Sequence, residues 1–209
     1  MKIKKKIKRI IIGIIIVALL VLLGFVIYKQ FTPKEKEVKE VKIVSKIDEY
    51  GYKLKENKPK EYKKMFEELE EILKAEEVDE EAYVKKISEM FIYDFYSLND
   101  KDAKTDIGGV DFVYSGTLEN FLQNAQNTYY KYVESNIYGN RNQKLPIVKD
   151  IEIQSVEKAP FAYGDQNDEN AYSVVVTWDY TDSDFATYQK SATLKFIHDG
   201  VKLSLVELQ

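Results

Sequence analysis

Tyr172–Tyr180 reads YSVVVTWDY, and its period decides the fold. Tyr172, Val174, Val176, Trp178 and Tyr180 alternate with Ser173, Val175, Thr177, Asp179 and Thr181. Successive side chains of a strand point to opposite faces, so this stretch has one apolar and one polar face. Ala192, Leu194 and Phe196 repeat the pattern against Ser191, Thr193 and Lys195. Asp199-Gly200 is a two-residue hairpin signal, and Val201, Leu203 and Leu205 continue beyond it. Ile151 and Ile153 mark a further short strand after Pro146, and Gly164–Asn170, GDQNDEN, reads as a polar turn.

Upstream of Pro146 the period changes to that of a helix. Tyr62, Met65, Phe66, Leu69, Ile72 and Leu73 form one apolar stripe on a helix that starts near Pro59. A second helix opens on Asp79 as N-cap, with Glu80 and Glu81 in its first turn. It carries Tyr83, Val84, Ile87, Met90, Phe91, Phe95 and Leu98, and Asn99–Asp102 breaks it. A third helix is predicted from Thr117, with Leu118, Phe121, Leu122, Ala125, Tyr129, Tyr132 and Val133 on its stripe, ending at Tyr138–Asn140. Ile43–Leu54 reads as an extended piece before the first helix. Helices followed by an antiparallel meander make an α+β domain, with three helices packed on one face of a curved sheet and the polar face toward water.

Residues 1–42 belong to a different regime. Residues 1–9 hold Lys2, Lys4, Lys5, Lys6, Lys8 and Arg9 and no acid, and Ile10–Tyr28 has no charge at all. A membrane helix needs roughly 20 apolar residues, and flanking Lys and Arg stay on the cytoplasmic side. The expected organisation is a cytoplasmic tail over 1–9, a transmembrane helix over 10–28, a charged linker over 29–42 and an extracytoplasmic domain over 43–209. A cleaved signal fits less well. Its apolar part runs about 7–15 residues and ends in a small-x-small site, which Leu22–Tyr28 lacks. A single-pass cell-membrane protein with its N-terminus inside and its folded domain outside is the expectation.

Six of the 31 Lys and Arg lie in residues 1–9, which leaves 25 against 35 acids and a net charge of −10 for the remainder. That remainder has no electrostatic footprint for nucleic acid. Cys is absent, so disulfides, thiolate nucleophiles and Cys-based zinc sites are excluded. The bias toward Lys, Ile, Tyr and Glu suggests an AT-rich Gram-positive genome.

Asp94-Phe95-Tyr96-Ser97-Leu98, followed by Asp106–Val110 and Phe112, is similar to a phrase of uncharacterised Gram-positive single-pass membrane proteins. The order of three helices and then a curved antiparallel sheet resembles the cone-shaped nuclear transport factor 2-like superfamily. A short tail, one anchor and a stalk also resemble the layout of type IV secretion and conjugation assembly components. The resemblance implies a cone-shaped α+β head over 43–209 and protein partners in the envelope. The superfamily holds enzymes, carriers and scaffolds, so the fold leaves function open.

Asp94 stands out chemically. It falls on the apolar stripe, seven residues after Ile87 and four after Met90. A buried carboxylate is costly unless hydrogen-bonded. Two roles follow: a general base with a raised pKa in a pocket, or an acceptor for backbone N–H groups of Asp106–Val110 that pins that loop. Gly108-Gly109 reads as a tight turn or a positive-φ site. Tyr129 and Trp178 are core aromatics or the wall of a ligand pocket. His198, the only His, precedes the hairpin turn and is expected at the surface. Asp165–Asn170 lacks the Gly and Glu that a calcium loop needs at its sixth and twelfth positions. No metal or cofactor is implied.

Two function classes result. One is a membrane-anchored interaction or scaffold module, with self-association into a homo-oligomer left open. The other is a small-ligand binder or weak acid-base enzyme whose pocket contains Asp94.

Overall fold

Glu81, two residues after the capping Asp79, is the last exposed residue of the second helix, and burial deepens from there to its end. The computed structural model describes residues 18, 20–25, 41–164 and 166–209. Residues 20–25 are helical. The remainder of the span expected over 10–28, and the linker up to residue 40, lie outside the described residues. Among the described residues no helix is long and apolar enough to cross a membrane. Lys39–Gln209 forms a unit of its own, and it is an α+β domain.

The unit begins with a small hairpin, β1 (Ile43–Ile47) and β2 (Tyr52–Lys55), where one extended piece was predicted. A 3-10 turn, Asp48–Tyr50, and Gly51 at φ 69° reverse the chain. Helix α1 (Lys60–Leu73) buries Tyr62, Phe66, Leu69 and Leu73 of the predicted stripe, and its Met65 and Ile72 are partly buried against the core. Helix α2 (Glu80–Tyr96) is capped by Asp79, whose side chain accepts from Glu81 N at 3.0 Å and Ala82 N at 3.1 Å. Its first half has one buried face. Every residue from Met90 to Tyr96 is buried, the mark of a helix surrounded on all sides.

Helix α3 (Leu118–Asn127) is shorter than its periodicity predicts. The Tyr130 N–H bonds back five residues to Ala125 O at 3.0 Å, which ends the regular helix. The stripe rotates as a result. Tyr130 is fully buried, whereas Tyr132, expected inside, is 75% exposed.

The main sheet is antiparallel in the order β3 (Val148–Lys158), β6 (Tyr172–Tyr180), β7 (Ser191–Asp199), β8 (Lys202–Leu208). A second small hairpin joins β4 (Phe161–Tyr163) to β5 (Gln166–Asp168), and β5 falls within Gly164–Asn170, predicted as a polar turn between two strands. On β6 the residues Tyr172, Val174, Val176, Trp178 and Tyr180 are buried, so the alternation reads out directly as the core face. Gly200, at φ 65°, forms the β7–β8 turn. Helix α2 lies across β3 and β6, and α1 packs on α2. The helices are therefore not equivalent: α2 is the central one, and α3 faces the end of β8 across a cavity.

Candidate functional site

Asp94 sits in the fully buried last turns of α2, and each of its oxygens has a partner. Oδ1 accepts from Lys58 Nζ at 2.5 Å and Lys101 Nζ at 2.8 Å, and Oδ2 accepts from Gly109 N at 2.9 Å. Lys101 is buried as deeply as the carboxylate and makes a second ion pair with Asp100 at 2.9 Å. Lys58 also lies over the Tyr62 ring, 4.9 Å from its centroid. Two ammonium groups thus meet two carboxylates, the balance a buried cluster requires.

Burial alone would raise the Asp94 carboxyl. The Lys101 and then the Lys58 ammonium overcome it and hold Asp94 well below the ordinary aspartate range. Burial likewise works against the Lys101 charge, yet Asp94 and then Asp100 hold its pKa above the ordinary lysine value. A general base needs a free lone pair and a pKa near the working pH. Asp94 has three donors on its oxygens and a depressed pKa, so its geometry is that of a fold-holding acceptor.

The Gly108-Gly109 pair fits against this cluster because neither residue has a side chain. A Cβ on Gly108 would lie 1.9 Å from the Asp94 carbonyl oxygen. Gly109 has φ 74°, and a Cβ there would meet the Phe91 ring at 2.6 Å. Tyr130 closes the far side: its hydroxyl donates to Phe95 O at 2.7 Å and accepts from Gly108 N at 3.0 Å. Arg141 ties down the neighbouring loop, reaching Lys101 O at 2.7 Å and Asn99 O at 2.9 Å. Together these contacts form a lock that joins the segment before α1, the end of α2 and the loop after it.

Tyr129 and Trp178 belong to a second, adjoining aromatic cluster. Trp178 packs on Tyr96 with centroids 4.5 Å apart. Its buried Nε1–H has no hydrogen-bond partner of regular geometry among the described residues. The Tyr129 hydroxyl lies 3.2 Å from Tyr96 O and 3.3 Å from the Tyr180 hydroxyl, which in turn donates to Gln189 O at 2.9 Å. Burial pushes the Tyr129 and Tyr96 phenols far above the ordinary value, so both stay neutral.

A cavity of about 460 Å³ opens beside this cluster, between α3 and the end of β8. That volume falls within the roughly 300–1,000 Å³ of ordinary ligand sites. Phe95, Phe121 and Tyr129 form its aromatic floor, and Asn120 and Asn124 stand on its rim. Neither Asp94 nor Trp178 lines it. Of the residues singled out from sequence, Asp94, Gly108 and Gly109 come together in the lock, Trp178 packs in the adjoining core, and Tyr129 alone reaches the cavity.

Lys58, Lys101, Tyr130 and Arg141 were missed. Lys58 and Lys101 lie in segments that read as a pre-helix turn and a helix breaker. Their signal is indirect: a carboxylate on an apolar stripe demands a buried cation, and these lysines flank the helices that bracket it. His198 stands at the end of β7. Its backbone N–H donates to Asp168 Oδ2 at 2.7 Å, and its ring Nδ1 lies 2.9 Å from the same oxygen. Its Nε2 lies 3.4 Å from Glu80 Oε1. Asp168, part of the acidic stretch considered as a metal loop, is thereby engaged in holding the β4–β5 hairpin against β7.

Compared with known protein families, with curated proteins and with solved structures, the chain matches none of them.

Proposed function

We propose that this chain is a membrane-anchored, extracytoplasmic protein-interaction module of a bacterial envelope, with secretion, conjugation and cell-wall machineries as its classes of partner. The basic residues 1–9, the uncharged Ile10–Tyr28 and the charged linker supply the anchor and stalk. The domain after them is the presented head, arranged in the nuclear transport factor 2-like manner. Three helices that precede a four-stranded antiparallel sheet support that arrangement.

The observation that carries the reading is the employment of Asp94. The residue best suited by sequence to acid-base chemistry has both oxygens engaged by Lys58, Lys101 and Gly109. It stabilises the head instead of facing a substrate. The head's net negative charge suits partners with basic or neutral surfaces.

Protease shaving of intact cells, followed by in-cell crosslinking, tests the proposal. Digestion of residues 43–209 from outside, with discrete crosslinked adducts to other envelope proteins, is the expected result. A head protected inside the cell, or a chain recovered solely as an isolated monomer, would overturn it.

A further inference from the structure

The cavity between α3 and β8 adjoins an unfinished sheet edge. β8 is the last strand of the sheet, and among the described residues its outer side is engaged at Leu203, whose N–H donates to the Tyr83 hydroxyl at 3.2 Å, and at Leu205. There Val113 forms a parallel bridge and the Tyr114 N–H donates to Leu205 O at 2.8 Å. Four residues further on, Gln209 exchanges both backbone hydrogen bonds with Thr193, at 2.9 and 3.0 Å. In an antiparallel ladder the doubly bonded pairs recur at every second residue. The Leu208 peptide groups therefore point away from β7, and Leu208 is among the residues that line the cavity. Among the described residues no strand lies beside them.

The opposite wall is complementary. Asn120 and Asn124 are one turn apart on α3, exposed, and their side-chain amides have no hydrogen-bond partner among the described residues. Their spacing along the helix axis is about 6 Å. The two-residue repeat of a strand is about 6.6–6.8 Å. Each amide can both donate and accept. A strand lying between the walls would present one edge to Leu208 and the other to the two asparagines. Its inward side chain would rest on Phe95, Phe121 and Tyr129.

We infer that this groove binds an extended peptide segment of a partner protein, which adds to β8 in line with Val113–Tyr114 and is held on its far edge by Asn120 and Asn124. Pairing by strand addition draws affinity from main-chain hydrogen bonds and selectivity from alternate side chains. The inference rests on the interaction-module reading and names its surface. The other open edge, β3, is a poor competitor. It carries Lys149, Asp150, Glu152, Glu157 and Lys158, two register shifts, and Asp150 at φ 51°, the devices that blunt an edge.

The test uses the purified full chain in detergent micelles. The probe is a library of end-blocked decapeptides, randomised at alternate positions among Val, Ile, Leu, Phe and Tyr with Ser or Thr between. Affinity selection should enrich members that slow amide exchange at Leu208. The same peptides N-methylated at alternate residues should lose binding. The N120A/N124A double variant should bind at least about tenfold more weakly. Equal enrichment by the double variant, or binding that survives N-methylation on either edge, overturns the inference. So does uptake of neutral oligosaccharides such as chitotetraose at Asn120 and Asn124 without protection of Leu208. In cells, crosslinks that persist in N120A/N124A with the head still shaved from outside would sink the groove and leave the envelope role standing. A protease-shielded head would sink the envelope role, whatever the groove binds.

Discussion

The lock around Asp94 and the groove beside β8 are built from the same materials and treat their polar groups in opposite ways. Both set polar side chains among aromatic rings at the two ends of the segment from Asp94 to Tyr129. In the lock every member has partners: Asp94 meets Lys58, Lys101 and Gly109, and Tyr130 meets Phe95 and Gly108. In the groove the Asn120 and Asn124 amides and an edge peptide group face open space. A buried polar group left unpaired costs free energy, so the saturated cluster is fixed by folding. Exposed, unpartnered groups beside an apolar floor cost little in the free molecule and are available to a ligand. The contrast separates what holds this domain together from what it offers outward.

That contrast can be broken by substitutions on each side. Lys101→Met has the largest expected effect of those away from Asp94 itself. It leaves one buried carboxylate short of its deepest cation, and we expect a loss of about 3 kcal/mol in urea-unfolding stability. Gly108→Ala follows. The added Cβ has no room against the Asp94 carbonyl, and a loss of roughly 1–3 kcal/mol is expected from overpacking. A wild-type urea midpoint for this variant would show that the loop after α2 is not pressed onto the helix. Tyr130→Phe removes a hydroxyl that serves two backbone groups, and the thermal midpoint should drop by the equivalent of about 1–2 kcal/mol. On the groove side, N120A/N124A should shift stability by no more than about 0.5 kcal/mol, as surface changes do. A loss as large as that of Tyr130→Phe would mean that the two amides serve the fold, and the distinction between the regions would collapse.

The sequence made some of this legible and hid the rest for physical reasons. Strand β6 and the β7–β8 hairpin are plain because each has a single buried face, and a period of two survives translation into structure. Helix α1 is plain for the same reason. The end of α2 is not, because Met90–Tyr96 is buried on all sides and no stripe distinguishes a partner from a neighbour. The break after Asn127 was hidden too. A five-residue back-bond at Tyr130 leaves no composition signal, yet it moves Tyr130 inward and Tyr132 outward. Asp94 was conspicuous from its position alone. Its cations were not, since Lys58 and Lys101 sit 36 residues behind and seven ahead in loops that look solvated. The groove was invisible, because an open edge is a property of strand order and not of any residue in it.

The pH dependence of unfolding for the wild type and Asp94→Asn, measured side by side in urea, tests the central claim that Asp94 holds the fold. The folded Asp94 pKa is depressed below its unfolded value of about 3.9. Its contribution is therefore present above that pH and is lost as the pH falls toward the folded pKa. The account predicts that Asp94→Asn, with two ammonium groups left without their carboxylate, is less stable by about 3–5 kcal/mol at pH 7. It also predicts that the variant loses less on acidification than the wild type does. Equal stability at pH 7 with parallel acid profiles would contradict it and return Asp94 to the list of groups free for chemistry.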